Sequence, residues 1–256
     1  MVEYNLTRNQ DRRPDMNDAL KLGILGGLGP MASAYFYEMI TEHTKADCDQ
    51  DHIDILLSSR ATTPDRTDFI TGKSSVSPLP VMIEDAKYLE SCKVSAIVIP
   101  CNTAHYFLDE IRRSVSIPMP SIITETVNHI RHSGKKKAGI LATEGTIITN
   151  TYQMECERQG IDWEIPSSEN QELLGSLIYD DVKSGKLASP EKLYTVSNEL
   201  WDKGCDTIIL GCTELSVVNQ RFGRDERFVD SLEVLAYVAI KLCEHTPTGF
   251  GKDFNY

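Results

Sequence analysis

Short apolar runs rich in β-branched residues recur along this chain, separated by longer amphipathic stretches. The runs lie near residues 21–26, 53–58, 95–100 and 119–123, and again near 137–142, 161–165, 206–211 and 227–230. Runs of this length between turn-forming residues are typical of buried parallel strands. Helical spacing is clearest at Ala32–Lys45, Leu79–Ser91, Pro190–Lys203 and Leu232–Cys243. The alternation predicts an α/β protein with parallel sheets and right-handed crossovers.

The pattern of the first half repeats in the second half. Lys21–Gly26 (KLGILG) recurs as Lys137–Ala142 (KAGILA), and each copy runs into a glycine-containing turn, at residues 27–30 and 143–146. Two copies at one long spacing indicate a duplicated unit. We expect two similar lobes related by a pseudo-twofold axis, each a short parallel sheet flanked by helices, with the active site between them.

The same pattern gives the expected domain organisation. The first lobe comprises residues 21–118 plus 230–245, and the second lobe comprises residues 119–229. Residues 1–20 form a polar N-terminal extension, and residues 246–256 form a C-terminal tail without periodicity.

Composition excludes several classes of partner. The 256 residues include 26 Lys and Arg against 38 Asp and Glu, a net charge of −12. This balance argues against nucleic acid or an anionic membrane surface, but it permits an anionic small substrate held by a local pair of cations. No apolar run approaches the roughly 18 residues that span a bilayer. Seven cysteines without a CxxC pair, and no signal peptide, favour a reducing cytoplasm with free thiols.

Two of those cysteines occupy matching positions. Cys101 follows the apolar run Ala96–Pro100, and Cys212 follows Thr207–Gly211. Ligands of open α/β sheets bind outside the carboxyl ends of the strands. Free cysteines are often inert core residues, but the matched placement favours chemistry in which two thiols face one substrate. A helix beginning at each cysteine would favour the thiolate.

Small polar residues follow both cysteines. Asn102, Thr103 and Thr213 could donate hydrogen bonds to a substrate carboxylate beside each sulfur. They could equally cap the helices that begin there, since Asn and Thr are good N-caps. Both roles can hold at once.

The glycine turn after the first strand allows three interpretations. Residues 27–32 fit the dinucleotide fingerprint G-x-G-x-x-A, but the second strand ends in Ser58-Ser59-Arg60 rather than an acidic residue. A tight strand-to-helix turn is the plainest alternative. We favour a third, in which glycine lets a carboxylate approach backbone N–H groups at a helix start. The substrate-binding candidates here are Gly27, Gly29, Pro30 and Met31.

Other chemistries are weakly supported. His105 lies four residues after Cys101, a spacing compatible with metal ligation, but no second pair completes a tetrahedral set. We therefore expect no metal. Signatures of serine nucleophiles and P-loops are absent. Arg66, in the turn Pro64–Thr67, and Lys183 are candidate cations, although lone surface cations are common.

Four motifs in order identify a resemblance. They are Gly-Gly-x-Gly-Pro-Met at 26–31, Pro-Asp-Arg-Thr at 64–67, Pro-Cys-Asn-Thr-Ala-His at 100–105 and Gly-Cys-Thr-Glu-Leu at 211–215. Together, over about residues 21–244, they resemble the cofactor-independent aspartate/glutamate racemase family. Pro-Asp-Arg-Thr narrows the resemblance to the aspartate racemase branch. Ser59-Arg60 departs from it, since many members have asparagine there.

The resemblance implies a homodimer that racemises an acidic amino acid, most simply L-aspartate to D-aspartate, without a cofactor. Cys101 and Cys212 would be the acid/base thiols, and Arg66 and Lys183 would hold the side-chain carboxylate. The α-amino-acid end would be lined by Asn102, Thr103, Thr213 and Glu214. Arg60 leaves the substrate's chain length and charge open. Alternatives are a glutamate or broad-specificity racemase, a maleate isomerase-like enzyme, and a non-catalytic nucleotide- or carboxylate-binding protein.

Overall fold

The computed structural model describes residues 20–186, 188–222 and 225–254, and within them the chain forms two lobes of parallel β-sheet. The first lobe contains β1 (Lys21–Gly26), β2 (Asp54–Ser59) and β3 (Ala96–Val98), in the order β2-β1-β3. The second contains β4 (Lys137–Ala142), β5 (Asp162–Glu164), β6 (Thr207–Gly211) and β7 (Phe228–Asp230), in the order β5-β4-β6-β7. Every neighbouring pair is parallel, so the predicted two-lobed α/β fold is confirmed.

Helices flank both sheets. In the first half of the chain they are α1 (Pro30–His43), α2 (Arg66–Ile70), α3 (Leu79–Ser91), α4 (Leu108–Arg112) and α5 (Ile122–His132). In the second half they are α6 (Glu144–Ile148), α7 (Thr151–Gln159), α8 (Ser168–Ser176), α9 (Pro190–Asp202), α10 (Thr213–Arg221) and α11 (Ser231–Leu242). A π-helix spans Leu177–Val182, and 3-10 helices span Asp49–Asp51, Thr103–Phe107 and Lys252–Phe254. None of the described helices is long and apolar enough to cross a membrane.

The strand predicted at 119–123 is wrong. Helix α5 begins at Ile122 instead, and the Ser121 side chain caps it by accepting from Thr124 N. Pro118 and Pro120 have no N–H to donate to a ladder, which prevents a regular strand. One hydrogen bond, from Ile97 N to Pro118 O at 2.9 Å, holds this segment beside β3.

A shared core joins the two sheets. Leu22 and Val98 of the first sheet belong to the same buried cluster as Ile140 and Ile209 of the second. Helices α1, α5, α7 and α11 supply most of the other members of this cluster, and α11 packs against both α1 and α5. Each lobe also has a separate core on its outer face. The carboxyl ends of the strands of both lobes therefore meet across a narrow gap.

Candidate active site

Cys101 lies at the carboxyl end of β3 and is 6% exposed. It does not begin an α-helix; the chain enters the 3-10 helix Thr103–Phe107, so the expected α-helix start is absent here. His105 Nδ1 donates to the Cys101 carbonyl at 2.8 Å, and its Nε2 accepts from Ile122 N at 3.0 Å. Burial lowers the pKa of His105 to about 4. His105 is thus a neutral residue that fixes the cysteine backbone, with both ring nitrogens engaged by the chain itself.

Cys212 lies at the carboxyl end of β6 and is the N-cap residue of α10, as expected. Its Sγ donates to Glu214 Oε2 at 3.0 Å, and Thr213 Oγ1 lies 3.4 Å from the same oxygen. Burial, and then the charge of Glu214, raise the pKa of Cys212 well above its ordinary value, while Lys183 opposes the shift. The backbone N–H of Glu214 at the helix start lowers the pKa of Cys212, as expected, but burial and the Glu214 charge outweigh it.

Both cysteines line one small cavity between the lobes, which we call the inner cavity. Its other polar lining includes Arg66, Asn102, Thr103, Lys183, Thr213 and Glu214. Its volume is about 10 Å³, room for about one water molecule. The structure thus brings together eight of the twelve site residues chosen from the sequence, in a closed arrangement.

The remaining four candidates lie next to the inner cavity rather than in it. Gly27, Gly29, Pro30 and Met31 line an adjoining outer cleft of about 650 Å³ that opens to solvent. Gly27 has a φ of +81°, and a Cβ there would lie 2.4 Å from Arg60 N. Its N–H donates to Ser33 Oγ at 2.9 Å. Close packing and internal hydrogen bonding account for this glycine, and its N–H is not left for a ligand.

Arg66 is a buried cation without an acidic partner in the described part of the chain. It begins α2 and is 6% exposed. Its Nη2 donates to Leu28 O at 2.5 Å and its Nη1 to Pro64 O at 3.2 Å, whereas its buried Nε has no partner. A buried guanidinium that meets only carbonyl oxygens is suited to receive an anion.

Lys183 is the second cation of the cavity. Its Nζ lies 3.8 Å from Asp65 Oδ2 and 4.4 Å from the centre of the Tyr179 ring. Burial lowers the pKa of Lys183, but the charges of Glu214 and its other neighbours outweigh this and raise the pKa above its ordinary value. Lys183 therefore stays protonated.

Arg60 has a different environment. Its Nη2 lies 2.6 Å from Asp85 Oδ1 and its Nη1 lies 3.1 Å from Glu84 Oε2. Asp85 is 2% exposed, so Arg60 neutralises a buried carboxylate in α3. It lines neither the inner cavity nor the outer cleft.

Hydrogen bonds between the lobes organise the residues after Cys101. Thr103 Oγ1 lies 2.8 Å from Thr143 Oγ1 and 3.0 Å from Thr146 Oγ1. These two threonines were not among the candidates, although they belong to the second copy of the glycine turn. The duplication was therefore the signal that could have identified them.

Asn102 is held by a second network. Tyr152 OH donates to Asn102 Oδ1 at 2.6 Å, and Asn102 Nδ2 donates to Ser231 Oγ at 3.1 Å. Ser231 Oγ in turn donates to Leu210 O at 2.7 Å, two residues before Cys212. The two cysteine segments are thus connected through Asn102. Tyr152 and Ser231 lie 50 and 129 residues from Asn102 along the chain, which is why no local pattern indicated them.

Comparison with known proteins identifies the fold and its family. The sequence profile of the Asp/Glu/hydantoin racemase family matches residues 25–239. The chain belongs to this family. One relative is the broad specificity amino-acid racemase RacX of Bacillus subtilis. It is 29% identical over 219 residues, which cover 84% of this chain and 94% of RacX. A glutamate racemase of Persephonella marina is 29% identical over 192 residues, 72% of each chain.

A solved structure of the family superposes well. The aspartate racemase of Picrophilus torridus gives a TM-score of 0.79 at 29% identity, covering 91% of this chain and 97% of the other. The resemblance to the aspartate/glutamate racemases stated from the sequence is confirmed. The relatives carry different substrate names, so family membership establishes a racemase fold without choosing the substrate.

Proposed function

We propose that this chain racemises an acidic amino acid, with aspartate as the first candidate, through two cysteines and without a cofactor. The observation that carries the proposal is the inner cavity. Cys101 and Cys212 line it from opposite lobes, and Arg66 and Lys183 line it as well. Two thiols supply the acid and the base, and two cations supply a site for a second carboxylate.

Racemisation replaces the Cα proton from the opposite face. One cysteine, as thiolate, takes the proton from Cα, and the other, as thiol, delivers a proton to the far side. The thiols exchange protonation states in each turnover. Only protons move and no oxidation state changes, so no redox partner is required. Hydroxyl and backbone N–H donors around the α-carboxylate stabilise the charge that develops there. A closed cavity excludes competing water.

We assign the binding roles from position and charge. Arg66, with its unpartnered Nε, and Lys183 hold the distal carboxylate. Thr213 and Glu214 lie beside Cys212 and bind the α-amino-acid end, with the Glu214 carboxylate facing the ammonium group. Asn102 and Thr103, already bonded across the lobes, line the cavity on the Cys101 side.

Substrate entry requires the site to open. A cavity of about 10 Å³ holds no amino acid, while the outer cleft of about 650 Å³ adjoins it through residues that line both. We infer that the lobes separate to admit substrate through the outer cleft, where Gly27, Gly29, Pro30 and Met31 form one wall. Closure then desolvates the two cations and the carboxylate they bind.

A broad-specificity racemase is the second candidate. The similarity to RacX over most of both chains favours it, and the outer cleft offers room for side chains longer than that of aspartate. Arg66 favours the acidic amino-acid racemase over the broad-specificity one, because a buried cation binds a substrate with an acidic side chain more tightly than one with a neutral side chain.

In the deciding experiment, the purified protein is incubated with single L- or D-amino acids, and the loss of the circular dichroism signal of each amino acid is followed over time. We expect racemisation of aspartate, retained after treatment with EDTA, since among the described residues no group of three or more His, Cys, Asp or Glu is arranged to hold a metal. Cys101→Ser and Cys212→Ser should abolish it, whereas Cys48→Ser, at an exposed cysteine, should not. Racemisation at the wild-type rate by either site variant would refute the two-thiol mechanism.

Assembly and location are also part of the proposal. We propose that the protein is a homodimer. We also propose that it works in a reducing cytoplasm, with which its seven free cysteines are consistent. Light scattering coupled to size-exclusion chromatography tests the dimer. A monomer that racemises at full rate would remove the dimer from the proposal and leave the chemistry intact.

A further inference from the structure

The two thiols differ in their contacts. Cys212 Sγ donates to the carboxylate of Glu214 at 3.0 Å. Within the described residues, no hydrogen bond from the Cys101 thiol to a carboxylate is found. A racemase that uses its two cysteines symmetrically does not need this difference, so the carboxylate beside Cys212 calls for an explanation.

The pseudo-twofold repeat makes the asymmetry sharper. Glu214 follows Cys212 by two residues, as Thr103 follows Cys101. Gly29 packs on Glu214, where an added Cβ would lie 2.6 Å from Oε1. Its counterpart Gly145 packs on Thr67, where an added Cβ would lie 3.0 Å from Oγ1, and on the Cγ2 methyl of Thr103 at 3.2 Å. The residue two positions after the cysteine is therefore a carboxylate bonded to the thiol in one lobe. In the other lobe it is a threonine whose hydroxyl bonds to Thr143 and Thr146 instead.

Glu214 also connects two solvent environments. It lines both the inner cavity, with Cys212, and the outer cleft, which Cys212 does not reach. Asp65 is the other acidic residue that lines both. Its carboxylate caps α2 through Asp68 N at 3.0 Å and lies beside Lys183, so it is engaged away from the thiols.

The proposed chemistry creates a need for such a connection. Each turnover leaves the two thiols in exchanged protonation states. Before the same enantiomer reacts again, both cysteines must return to their earlier states, one losing a proton to water and the other gaining one from water. While the lobes are closed, Cys212 is 5% exposed in a cavity with room for about one water, so direct exchange of its proton with bulk solvent is obstructed.

We propose that Glu214 carries protons between the Cys212 thiol and water in the outer cleft, and so performs the Cys212 half of the resetting of the free enzyme between turnovers. The proton passes from Sγ to Oε2, leaving a thiolate and a carboxylic acid, and the acid releases it to water. The reverse sequence protonates the thiolate. The raised pKa of the buried Cys212 fits this role, because such a thiol needs a base to ionise. The Lys183 ammonium lines the same cavity and stabilises the thiolate once formed.

This inference rests on the proposed racemase function and adds a step to it. Binding of the substrate ammonium by Glu214 is compatible with it, because resetting takes place while the site is empty of substrate. The step has a specific kinetic signature: when interconversion of the two free enzyme forms is slow, product inhibition becomes noncompetitive.

The test compares the wild type with Glu214→Gln, which keeps the size of the side chain but cannot carry a proton. We expect kcat to fall by about tenfold or more and inhibition by the product enantiomer to change from competitive to noncompetitive. At constant pH and ionic strength, kcat of the variant should rise with the concentration of a small proton-carrying buffer. Glu144→Gln is the matched control, since Glu144 lies in the other glycine-containing turn and pairs only with the exposed Lys73 among the described residues. It should behave as the wild type does.

A second measurement does not depend on turnover. Iodoacetamide labelling of Cys212, followed by peptide mass spectrometry across a pH range, should show a lower midpoint in Glu214→Gln, because the neighbouring negative charge is gone. An unchanged midpoint would overturn the inference, as would competitive product inhibition without a buffer effect in an active variant. A wild type that racemises no amino acid would instead refute the proposed function.

Discussion

Gly29 lies against the carboxylate of Glu214, so closely that a Cβ on Gly29 would lie 2.6 Å from Oε1. The glycine belongs to the turn after β1 in the first lobe, and Glu214 belongs to the first turn of α10 in the second. The contact therefore fixes where the two lobes meet beside Cys212. It also explains a glycine that the sequence alone assigned to ligand binding.

Gly29→Ala should displace the Glu214 side chain from Cys212 without unfolding the protein, because the end of a glutamate can rotate away. We expect kcat for aspartate to fall by about tenfold or more, through the misplaced carboxylate. Gly175→Ala is the control, since a Cβ there meets nothing within 4 Å. It lies within α8, so alanine should leave activity unchanged and raise stability by up to about 1 kcal/mol. Steady-state kinetics and thermal melts check both, and full activity in Gly29→Ala would contradict the packing argument.

Arg66→Ala should raise KM for aspartate by about tenfold or more, because removing one partner of a buried charge pair costs a few kcal/mol. Alanine or serine, if they react, should be affected far less, since they carry no distal carboxylate. The measurement is the ratio of kcat/KM for aspartate to that for a neutral amino acid. An unchanged ratio would remove Arg66 from substrate recognition and favour a racemase of neutral amino acids.

Arg60→Ala should lower the stability of the protein and leave substrate binding unchanged, in contrast to Arg66→Ala. It leaves Asp85, 2% exposed, without its cation, so the free energy of unfolding should fall. Because Arg60 lines neither cavity nor cleft, KM for aspartate should not change. Chemical denaturation and kinetics on the same preparation separate the two effects. A large rise in KM with unchanged stability would mean that Arg60 is the substrate-binding arginine.

Strand positions could be predicted because they depend on local composition. Runs of apolar, β-branched residues predicted the positions of all seven described strands to within a few residues, and the repeat predicted the two lobes. The segment 119–123 was misassigned because Ile122 and Ile123 have apolar character that fits a strand or a buried helix equally well. There the outcome depends on prolines that cannot pair and on a Ser121 cap.

Site contacts were harder to predict because they depend on the distant chain. The paired cysteines could be identified, since each lies at a strand end in its own repeat. The partner of Arg60, by contrast, is a carboxylate in α3, and the hydroxyls that meet Thr103 come from the second lobe. Only the packing of one element on another brings such residues together. The expectation of a low pKa for Cys212 was wrong for the same reason, because burial and the Glu214 charge raise the pKa by more than the helix terminus lowers it.

Tyr152→Phe should weaken the connection between the two cysteine segments. The change keeps the ring but removes the hydroxyl that donates to Asn102 Oδ1 at 2.6 Å. A buried acceptor left without its donor costs about 1–3 kcal/mol. We expect a lower melting temperature together with a lower kcat, because Asn102 adjoins Cys101. Tyr37→Phe, at an exposed tyrosine of α1, is the control. Unchanged kcat in Tyr152→Phe would show that the network serves stability alone.

Asp230 should make the stability of the protein depend on pH between about 4 and 6. It caps α11, accepting from Leu232 N at 2.9 Å, and it accepts from Ser216 Oγ at 2.6 Å. Burial, followed by the charge of Glu233, raises the pKa of Asp230 from 3.8 to about 6. The folded state therefore binds a proton that the unfolded state has already lost in this window, and the stabilising contribution falls as pH rises through it.

Asp230→Asn keeps an oxygen for both hydrogen bonds and removes the titration. The variant should be stabilised relative to the wild type as pH rises from 4 to 6, by on the order of 2–3 kcal/mol across the window. Buried His105 and His129, whose pKa values burial lowers to about 4, change stability in the opposite direction. They titrate alike in both proteins, so the difference in unfolding free energy between variant and wild type isolates Asp230. Urea denaturation at a series of pH values gives that difference, and a pH-independent difference would show that Asp230 is ionised in the folded state throughout this range.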